Sequence, residues 1–480
     1  MLKYKFKWIA LVVVALAYTS CEDPDTTFDP INPDLTPEAI TGTPQSTTRI
    51  LVGIERQLAL AYQELGPPTE IASDNYVNTQ TFYNQFVDKL DINKTDNDVN
   101  DMQFDIARLR ELAIFARDVI APADEGATED QVAEIEYFIG VGLLLGGQYF
   151  TTLPSTPGGV PMSSADNLQL ADEQFVAAAS KTENVDIKAA ALLGSARARY
   201  LQGDKSGAVA AADEAIALAP DFVRYVNFDA LNGPVNTLQD ALHDRATLDD
   251  LQPLPRLDFL DPKFNDQDPT ADFGIPLFKI EEAHLIKCEA AIADGALGDA
   301  QSIMKDILGL VASRPTATFD EGAEDRIEGD PGIRPDTSSV VVAASPGAPF
   351  RSGLVLDRNT TTTVPTISGT SVTEEMIDAV GSEDEALELL YLMRQEIFIA
   401  ESQRVTDMGL KFVVSETEEL ANPNVKDTDV LPTIPPFLAA ISNEIDAMTY
   451  DAAAGTCTIT HDINAIIVAN KTSDFVCPFH

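Results

Sequence analysis

The chain has few of the residues on which enzyme active sites usually depend. Its four histidines are His243, His284, His461 and His480, and none combines with a cysteine, another histidine or a paired carboxylate in a metal-ligand pattern. No Gly-x-Ser-x-Gly turn, phosphate loop or dinucleotide fingerprint is present. With 77 acidic residues, carboxylate pairs are no evidence for a glycoside hydrolase. The sequence therefore predicts a protein that is not an enzyme, and a lipid-anchored hydrolase is the weakest interpretation.

Basic residues are also scarce. The 480-residue chain has 32 Lys and Arg against 77 Asp and Glu, a formal net charge of −45. Residues 1–20 contain three lysines and no acid, so their removal leaves 29 basic and 77 acidic residues, a net charge of −48. Such a chain repels nucleic acid and anionic lipid surfaces, and its charge keeps the surface soluble.

Long apolar runs are few as well. The N-terminal run 8–17 has ten residues and follows Lys3, Lys5 and Lys7, which is the order of a secretory signal. Spanning a bilayer as a helix requires roughly 20 apolar residues, so this run predicts targeting rather than a permanent anchor. No later segment is long and apolar enough to replace it.

A cysteine directly follows the signal-like segment. Thr19-Ser20-Cys21 resembles the lipobox of bacterial lipoproteins, although Tyr18 stands where leucine is usual. The next residues, Glu22-Asp23-Pro24-Asp25, resemble the acidic tag that directs lipoproteins of the Bacteroidota to the outer face of the outer membrane. We therefore expect a signal peptide over 1–20, lipidation of Cys21, and an acidic, proline-rich tether over 21–42. Several acyl chains on one cysteine would anchor the protein durably.

The other cysteines are Cys288, Cys457 and Cys477. Cys288 is predicted to be a small buried apolar residue on a helix. Cys457 and Cys477 lie twenty residues apart in an exported protein, which permits a disulfide, but sequence alone does not fix the pairing. The acid-rich stretch 91–105 lacks the glycine and terminal glutamate of a calcium loop. No cofactor is predicted, and a calcium site is left open.

Apolar periodicity predicts one large, mostly helical body over residues 43–480. A sixty-residue insert rich in Gly, Pro, Asp, Thr and Ser, 313–372, is expected to form irregular chain with a few short strands. Ser382 precedes three acidic residues and is expected to cap the last long helix. The predicted helical regions are 49–65, 104–120, 131–150, hairpins over 189–221 and 280–310, and 382–412.

The two hairpins share a spacing. In each, an alanine lies five residues after the turn glycine, Gly203 to Ala208 and Gly295 to Ala300. This pattern resembles the tetratricopeptide repeat, in which small residues let paired helices pack closely and a proline closes the unit. Pro220 closes the first hairpin only, and two ordinary helical hairpins remain an alternative.

Three segments resemble the SusD/RagB family of nutrient-uptake lipoproteins. They are Ser73-Asp74-Asn75-Tyr76, the helix-like segment 275–290, and 394–407, which is similar to the family pattern Arg-x-Glu-(x)4-Glu-Gly-x-Arg-x-x-Asp. Gly158-Gly159-Val160-Pro161 is a weaker similarity. Together with the lipoprotein start, these segments extend over most of the chain.

The last of these segments departs from the family pattern. Ser402 replaces the usual glycine, and the basic residue that often follows the aspartate is displaced to Lys411, so we expect a divergent branch. Glu401, Arg404 and Asp407 lie three apart on one predicted helical face, where the arginine could bridge two carboxylates. We interpret these three residues as a structural clamp rather than as ligand contacts.

The resemblance implies a mostly α SusD-like fold with tetratricopeptide-like hairpins. It also implies a binding protein without enzymatic activity, which captures a polysaccharide or oligosaccharide for a SusC-like TonB-dependent outer-membrane transporter. Such sites usually stack sugar rings on aromatic side chains. The only tryptophan is Trp8, within the signal peptide, so the mature chain must use Tyr or Phe or bind a less planar ligand.

Polar and aromatic residues interleave after the first helix, and these are the ligand-binding candidates. A buried turn that satisfies its own backbone explains them equally well. A tetratricopeptide-type surface scaffold that binds a protein or peptide is the alternative function. The candidate residues are Asp74, Asn75, Tyr76, Asn78, Phe82 and Tyr83.

Overall fold

The structure is a computed structural model that describes residues 43, 45–78, 84–244, 251–264, 272–320, 334–357 and 360–480. The predicted signal peptide, Cys21 and its tether therefore lie outside the described residues. Among the described helices, none combines the length and apolarity needed to cross a membrane.

Helices make up most of the described chain, and neighbours in sequence pack in pairs: α1 on α2, α3 on α4, α5 on α6, and α7 on α8. The α-helices of four or more residues are α1 (Ser46–Ile71), α2 (Asn97–Phe115), α3 (Glu129–Tyr149), α4 (Ser164–Lys181), α5 (Val185–Leu201), α6 (Lys205–Leu218), α7 (Ile280–Ala293), α8 (Leu297–Ser313), α9 (Glu374–Ala379), α10 (Glu383–Ile397), α11 (Arg404–Asp407), α12 (Glu416–Ala421), α13 (Pro436–Ala439) and α14 (Ile463–Ala469).

Both predicted hairpins are confirmed, as α5–α6 and α7–α8. The first begins at Asn184, whose side chain accepts hydrogen bonds from the next turn, and turns at Gly203, which has a φ of 74°. The second turns at Gly295, with a φ of 69°. Helices α5 and α6 both pack on α7, so segments far apart in sequence form one stack, as helical repeats do.

Two glycines allow the close approach of α3, α4 and α5. The ring of Phe175 on α4 lies between Gly140 on α3 and Gly194 on α5. A Cβ atom on Gly194 would lie 2.5 Å from the ring, and one on Gly140 would lie 2.8 Å from it. Any larger residue would therefore separate these helices or displace the ring.

The last long helix is shorter than predicted. Ser382 caps α10 as expected, its hydroxyl accepting from the Glu385 amide, but α10 ends at Ile397. A turn follows in which Ala400 and Ser402 have φ values of 58° and 62°, and α11 then begins at Arg404. The single helix predicted over 382–412 is therefore two helices joined by a left-handed turn.

Short strands form small sheets at the edges of the helical stack. Four antiparallel pairs are β1 with β5, β2 with β3, β4 with β6, and β7 with β9, while β8, β11 and β10 form a mixed sheet in which β8 runs parallel to β11. The strands are β1 (Tyr76–Asn78), β2 (Thr152–Pro154), β3 (Pro161–Ser163), β4 (Val223–Val226), β5 (Leu251–Pro253), β6 (Ile275–Lys279), β7 (Thr316–Asp320), β8 (Val341–Ala343), β9 (Thr361–Pro365), β10 (Met448–Asp451) and β11 (Thr456–Ile459). The insert 313–372 supplies β7, β8 and β9, as predicted.

Two separate hydrophobic clusters hold the described chain together. The large one fills the helical stack, and a smaller one lies under the β8–β11–β10 sheet. Cys477 belongs to the large cluster, whereas Cys457 lies in the small one with its Sγ 3.8 Å from the Met448 sulfur. All three described cysteines are free and buried, so the structure does not form the Cys457–Cys477 disulfide that the spacing permits, and the burial predicted for Cys288 is confirmed.

Candidate functional site

The turn predicted to bind a ligand is buried. Asp74, Asn75 and Tyr76 expose 2%, 0% and 1% of their surface. Asp74 is held by the Arg404 guanidinium, with Nη2 2.9 Å from Oδ2, and the Asn75 amide donates to Glu70 at 2.9 Å. Tyr76 begins β1, opposite Pro253. These three side chains have no free surface for a ligand, so the expectation that they contact one is corrected.

The remaining candidates extend past this turn. Asn78 ends β1 opposite Leu251 and keeps partial exposure. Phe82 and Tyr83 lie outside the described residues. Of the four candidates that the structure describes, Asn78 alone therefore retains accessible surface.

The three predicted clamp residues are buried but do not bridge one another. Because α10 ends at Ile397, Glu401 precedes α11 and does not share its helical face. Arg404 pairs with Asp74, while Asp407 accepts from Arg394 at 2.7 Å. The pairing predicted from helical spacing is wrong, because a left-handed turn separates the two helices.

Glu401 instead joins two lysines from other parts of the fold. Its Oε1 accepts from Lys279 Nζ at 2.6 Å and from Lys263 Nζ. Burial lowers the pKa of Lys279 to about 8, an effect that Glu401 opposes. Close by, burial raises the pKa of Glu70 to about 7, while hydrogen bonds from the Asn75 side chain and the Ser402 amide oppose the rise. The motif thus forms an ionic network inside the core.

Gln395 and Asn464 extend this hydrogen-bond network from the buried turn toward a cavity. Gln395 Nε2 donates to Asp74 Oδ2 at 3.0 Å and to Asn75 Oδ1 at 3.2 Å, so its Oε1 is left to accept. It does so from Asn464 Nδ2 at 3.0 Å. Because Gln395 Oε1 must act as the acceptor, the Asn464 side chain has one orientation, in which Nδ2 faces Gln395 and Oδ1 does not. That Oδ1 is buried and has no partner within the described ranges.

Asn464 lines an open cavity of about 460 Å³ between α10, the start of α14 and the β8 region, which we call the arginine cavity. Its lining combines charged and aliphatic side chains, and none of the described residues that line it is aromatic. The polar lining residues are Arg256, Arg351, Glu385, Glu388, Asp462 and Asn464, and the larger aliphatic ones are Val342, Leu354, Met376, Val380, Leu389 and Leu392.

Two guanidinium groups share this cavity. Arg256 Nη1 donates to Asp462 at 3.1 Å, and Arg351 Nη2 donates to the Ser371 carbonyl at 2.8 Å and to its hydroxyl at 2.9 Å. No carboxylate of the described chain lies within ion-pairing distance of Arg351. Burial lowers the pKa of Arg351 and nearby Arg256 lowers it further, while Glu396 opposes both. A positive group therefore faces the cavity without a carboxylate partner.

Two glutamates of α10 also line the cavity. Glu385 accepts from the Gly381 amide at 2.8 Å, whereas Glu388 has no hydrogen-bond partner in the described part of the chain. Burial raises the pKa of Glu388, and the neighbouring carboxylates of Asp462, Asp384 and Glu385 raise it further. Glu388 is thus a free acceptor in a negative environment.

The sequence held only part of the signal for this cavity. Glu385, Glu388, Leu389 and Leu392 follow the i, i+3, i+4, i+7 spacing of one helical face, so their shared location could have been predicted. Arg256 and Arg351 lie in irregular segments, where no periodicity indicates direction. Within the described ranges, no group of three or more His, Cys, Asp or Glu side chains is placed to hold a metal ion.

Comparisons with known proteins identify the fold. No protein-family model and no curated protein matches the sequence. Among solved structures, a SusD-like protein from Bacteroides fragilis NCTC 9343 aligns with a TM-score of 0.55 at 11% identity, over 80% of this chain and 96% of that one.

Two further structures agree with this result. A SusD-like carbohydrate binding protein from Bacteroides vulgatus ATCC 8482 aligns with a TM-score of 0.52 at 12% identity, over 76% of this chain and 83% of the other. A SusD superfamily protein from Bacteroides thetaiotaomicron VPI-5482 gives 0.52 at 12% identity, over 80% and 98%. The chain therefore has the SusD-like fold, as predicted.

Proposed function

We propose that this protein is a divergent SusD/RagB-type lipoprotein that binds a glycan at the cell surface and delivers it to a SusC-like TonB-dependent transporter. The observation that carries the proposal is the SusD-like fold, which extends over 80% of the chain and 96% of a solved SusD-like protein. A second protein with this fold is itself described as carbohydrate binding. A fold does not name a ligand, so the glycan must be identified by experiment.

The N-terminal sequence supports a surface location. A short signal-like run followed by Cys21 and an acidic tag is the arrangement that places a lipid-anchored protein on the outer face of the outer membrane. The large negative charge of the mature chain argues against charge-driven attachment to anionic lipid. In this proposal, the acyl chains on Cys21 therefore anchor the protein to the membrane.

The arginine cavity supports the glycan-binding part of the proposal. Guanidinium, carboxylate and amide groups supply the donors and acceptors that sugar hydroxyls need, and aliphatic side chains offer a surface for C–H groups. The free acceptors are Glu388 and the Asn464 Oδ1, and Arg351 supplies free donors.

Co-purification tests the partner. Because Cys477 and the His480 side chain are buried, an epitope tag should be inserted in the exposed loop between Asp427 and Thr428 rather than at the C-terminus. Outer membranes are solubilised gently, and proteins captured with the wild type and with Cys21→Ala are identified by mass spectrometry. We expect a large TonB-dependent barrel to be enriched with the wild type.

The same capture experiment distinguishes the uptake protein from the alternative function, a tetratricopeptide-type scaffold. Recovery of soluble partners alone, with no barrel, would favour a tetratricopeptide-type scaffold over an uptake protein. The glycan is tested separately by affinity electrophoresis through gels that contain neutral or acidic polysaccharides. Retardation by none of them, with no barrel captured, would overturn the proposed function.

A further inference from the structure

The arginine cavity has opposite charges at its two ends. Arg351 is bound to Ser371, whose amide donates to the Glu396 carboxylate at 2.7 Å, so this guanidinium lies beside the C-terminal part of α10. Glu388 lies two turns earlier on the same helix. Eight residues of α-helix correspond to about 12 Å, which sets the scale of the separation along the cavity.

The electrostatic environments of the two ends agree with this separation. Apart from burial, the groups that shift the pKa of Arg351 are Glu396 and Arg256, whereas those that shift the pKa of Glu388 are carboxylates only. Glu388 is not among the groups that mainly shift the pKa of Arg351, and Arg351 is not among those that mainly shift the pKa of Glu388. Asp462 also lines the cavity and is already engaged by Arg256 at 3.1 Å.

Several polar atoms in this cavity have unused hydrogen-bonding capacity. Arg351 uses only Nη2, which leaves Nε and Nη1 without a partner in the described residues. The Asn464 Oδ1 is buried and unpartnered, and Gln395 prevents its amide from rotating. Leaving a buried polar atom unsatisfied costs free energy, so the Asn464 Oδ1 indicates that a ligand or ordered water completes the site, and the Arg351 nitrogens are donors that a ligand could use beside it.

The shape and composition of the cavity narrow the ligand class. Its volume of about 460 Å³ lies within the range of small-molecule sites, which is roughly 300–1,000 Å³. Because no aromatic side chain of the described chain lines it, ring stacking cannot supply the affinity there. Binding must depend on directed polar contacts, and the paired donors of a guanidinium match the two oxygens of a carboxylate best.

We propose that the arginine cavity is a subsite for a carboxylated sugar, in which the carboxylate of a uronic acid unit binds Arg351 and the hydroxyls bind Asn464 and Glu388. This inference rests on the proposed function, because it specifies which glycan that function captures. The net charge of the protein repels a polyanion at long range, but at physiological ionic strength the Debye length is about 8 Å. Long-range repulsion is therefore screened, and the contact with the Arg351 guanidinium acts at short range once a sugar enters the cavity.

Isothermal titration calorimetry with the full-length mature protein tests the proposal. The ligands are oligomers of galacturonate, glucuronate and mannuronate, each paired with its methyl ester, which keeps the sugar but removes the charge. A charge-assisted contact of this kind should make at least one acid oligomer bind about tenfold to a hundredfold more tightly than its ester. Arg351→Gln should remove that preference while leaving the affinity for the ester nearly unchanged.

Two controls make the result specific. Arg117→Gln changes an arginine that pairs with Asp118 on the surface, away from the cavity, and should keep the wild-type preference. Circular dichroism melting of each variant shows whether it is folded. Sulfated oligosaccharides and a tripeptide with uncharged side chains complete the panel, because a sulfate group or the C-terminal carboxylate of the peptide could also bind the guanidinium.

The outcomes separate this inference from the proposed function. Equal binding of acid and ester, or an acid preference that survives Arg351→Gln, overturns the carboxylated-sugar subsite but keeps a glycan receptor. Tighter Arg351-dependent binding of a sulfated sugar or the tripeptide, or binding of no uronate oligomer, also overturns it. Failure of the proposed function is recognised differently, by the absence of both a captured barrel and any retarding polysaccharide.

Discussion

Ser402 adopts a backbone conformation that residues with a side chain seldom adopt. Its φ is 62°, and its hydroxyl is buried without a partner in the described chain, while its amide donates to Glu70 at 2.8 Å. The SusD/RagB pattern has glycine at this position, and glycine adopts a positive φ without the cost of a Cβ. The preference for glycine in the SusD/RagB pattern thus has a physical cause, although this chain has serine at that position.

Ser402→Gly should therefore stabilise the protein. Relief of the left-handed conformation and loss of an unsatisfied hydroxyl outweigh the greater chain entropy of glycine, for a net gain of about 1 kcal/mol in the free energy of unfolding. Urea denaturation followed by circular dichroism measures this change. Ser402→Ala is the matched control, because it removes the hydroxyl but keeps the strain, and it should gain less. A less stable Ser402→Gly variant would contradict the argument.

The Asp74–Arg404 pair lies among the most buried side chains of the molecule, with 2% and 1% exposure. Arg404→Ala leaves Asp74 charged in the core, and such unpaired burial costs about 3–5 kcal/mol. Denaturant unfolding should show this loss, and Asp74→Ala together with Arg404→Ala should cost less than the sum of the single changes.

An exposed pair serves as the comparison. Lys188 lies 3.3 Å from Glu183, whose side chain is 96% exposed, so Lys188→Ala should change the free energy of unfolding by no more than about 0.5 kcal/mol. If Arg404→Ala had an equally small effect, the network around Glu401 and Asp74 would not be a structural element of the core.

At the scale of elements, the contact of α3, α4 and α5 depends on two glycines. Gly194→Ala would place a methyl group 2.5 Å from the Phe175 ring. Overpacking costs roughly 1–3 kcal/mol, and the better helix propensity of alanine offsets up to about 1 kcal/mol, so a net loss of about 1–2 kcal/mol is expected. Gly309 lies on the exposed side of α8, where an added methyl group would meet nothing within 4 Å, so Gly309→Ala should stabilise by about 0.5–1 kcal/mol. Chemical denaturation of both variants should show opposite signs.

Periodicity in the sequence is sufficient to predict elements whose structure is determined by residues within the element itself. The hairpins α5–α6 and α7–α8 could be predicted because their apolar spacing, caps and turn glycines all lie within the segments themselves. The end of α10 could not, because the turn at 398–403 is held by Lys263, Lys279 and Glu70 from distant parts of the chain. Arg256 and Arg351 were missed for the same reason, since only the fold brings two irregular segments to one cavity.

The cysteines show the same limitation. Twenty residues of separation permitted a disulfide, but β11 and the C-terminal segment lie in different hydrophobic clusters. Mature protein purified without reductant and then denatured should react with three equivalents of a thiol reagent, since an acylated Cys21 has no free thiol. Titration of a single thiol would contradict the structure and indicate a Cys457–Cys477 bond, with Cys288 left free.

At the scale of the whole molecule, charge opposes compactness. A mature net charge of −48 makes the folded chain repel itself, because the excess acids are on its surface rather than in the buried ionic network of the core. The repulsion acts between exposed acids, so dissolved salt can screen it.

Thermal stability should therefore rise with sodium chloride. Between roughly 0.02 M and 0.5 M salt the Debye length falls from about 20 Å to about 4 Å, which removes most repulsion between surface carboxylates while affecting the buried pairs little. Melting followed by circular dichroism should give a higher Tm at the upper concentration. An equal osmolarity of sucrose serves as the control for excluded-solute effects, and the rise with salt should exceed it. A Tm that fell with salt would contradict this argument, because it would mean that exposed ion pairs, rather than the excess of acids, dominate the electrostatic contribution to stability.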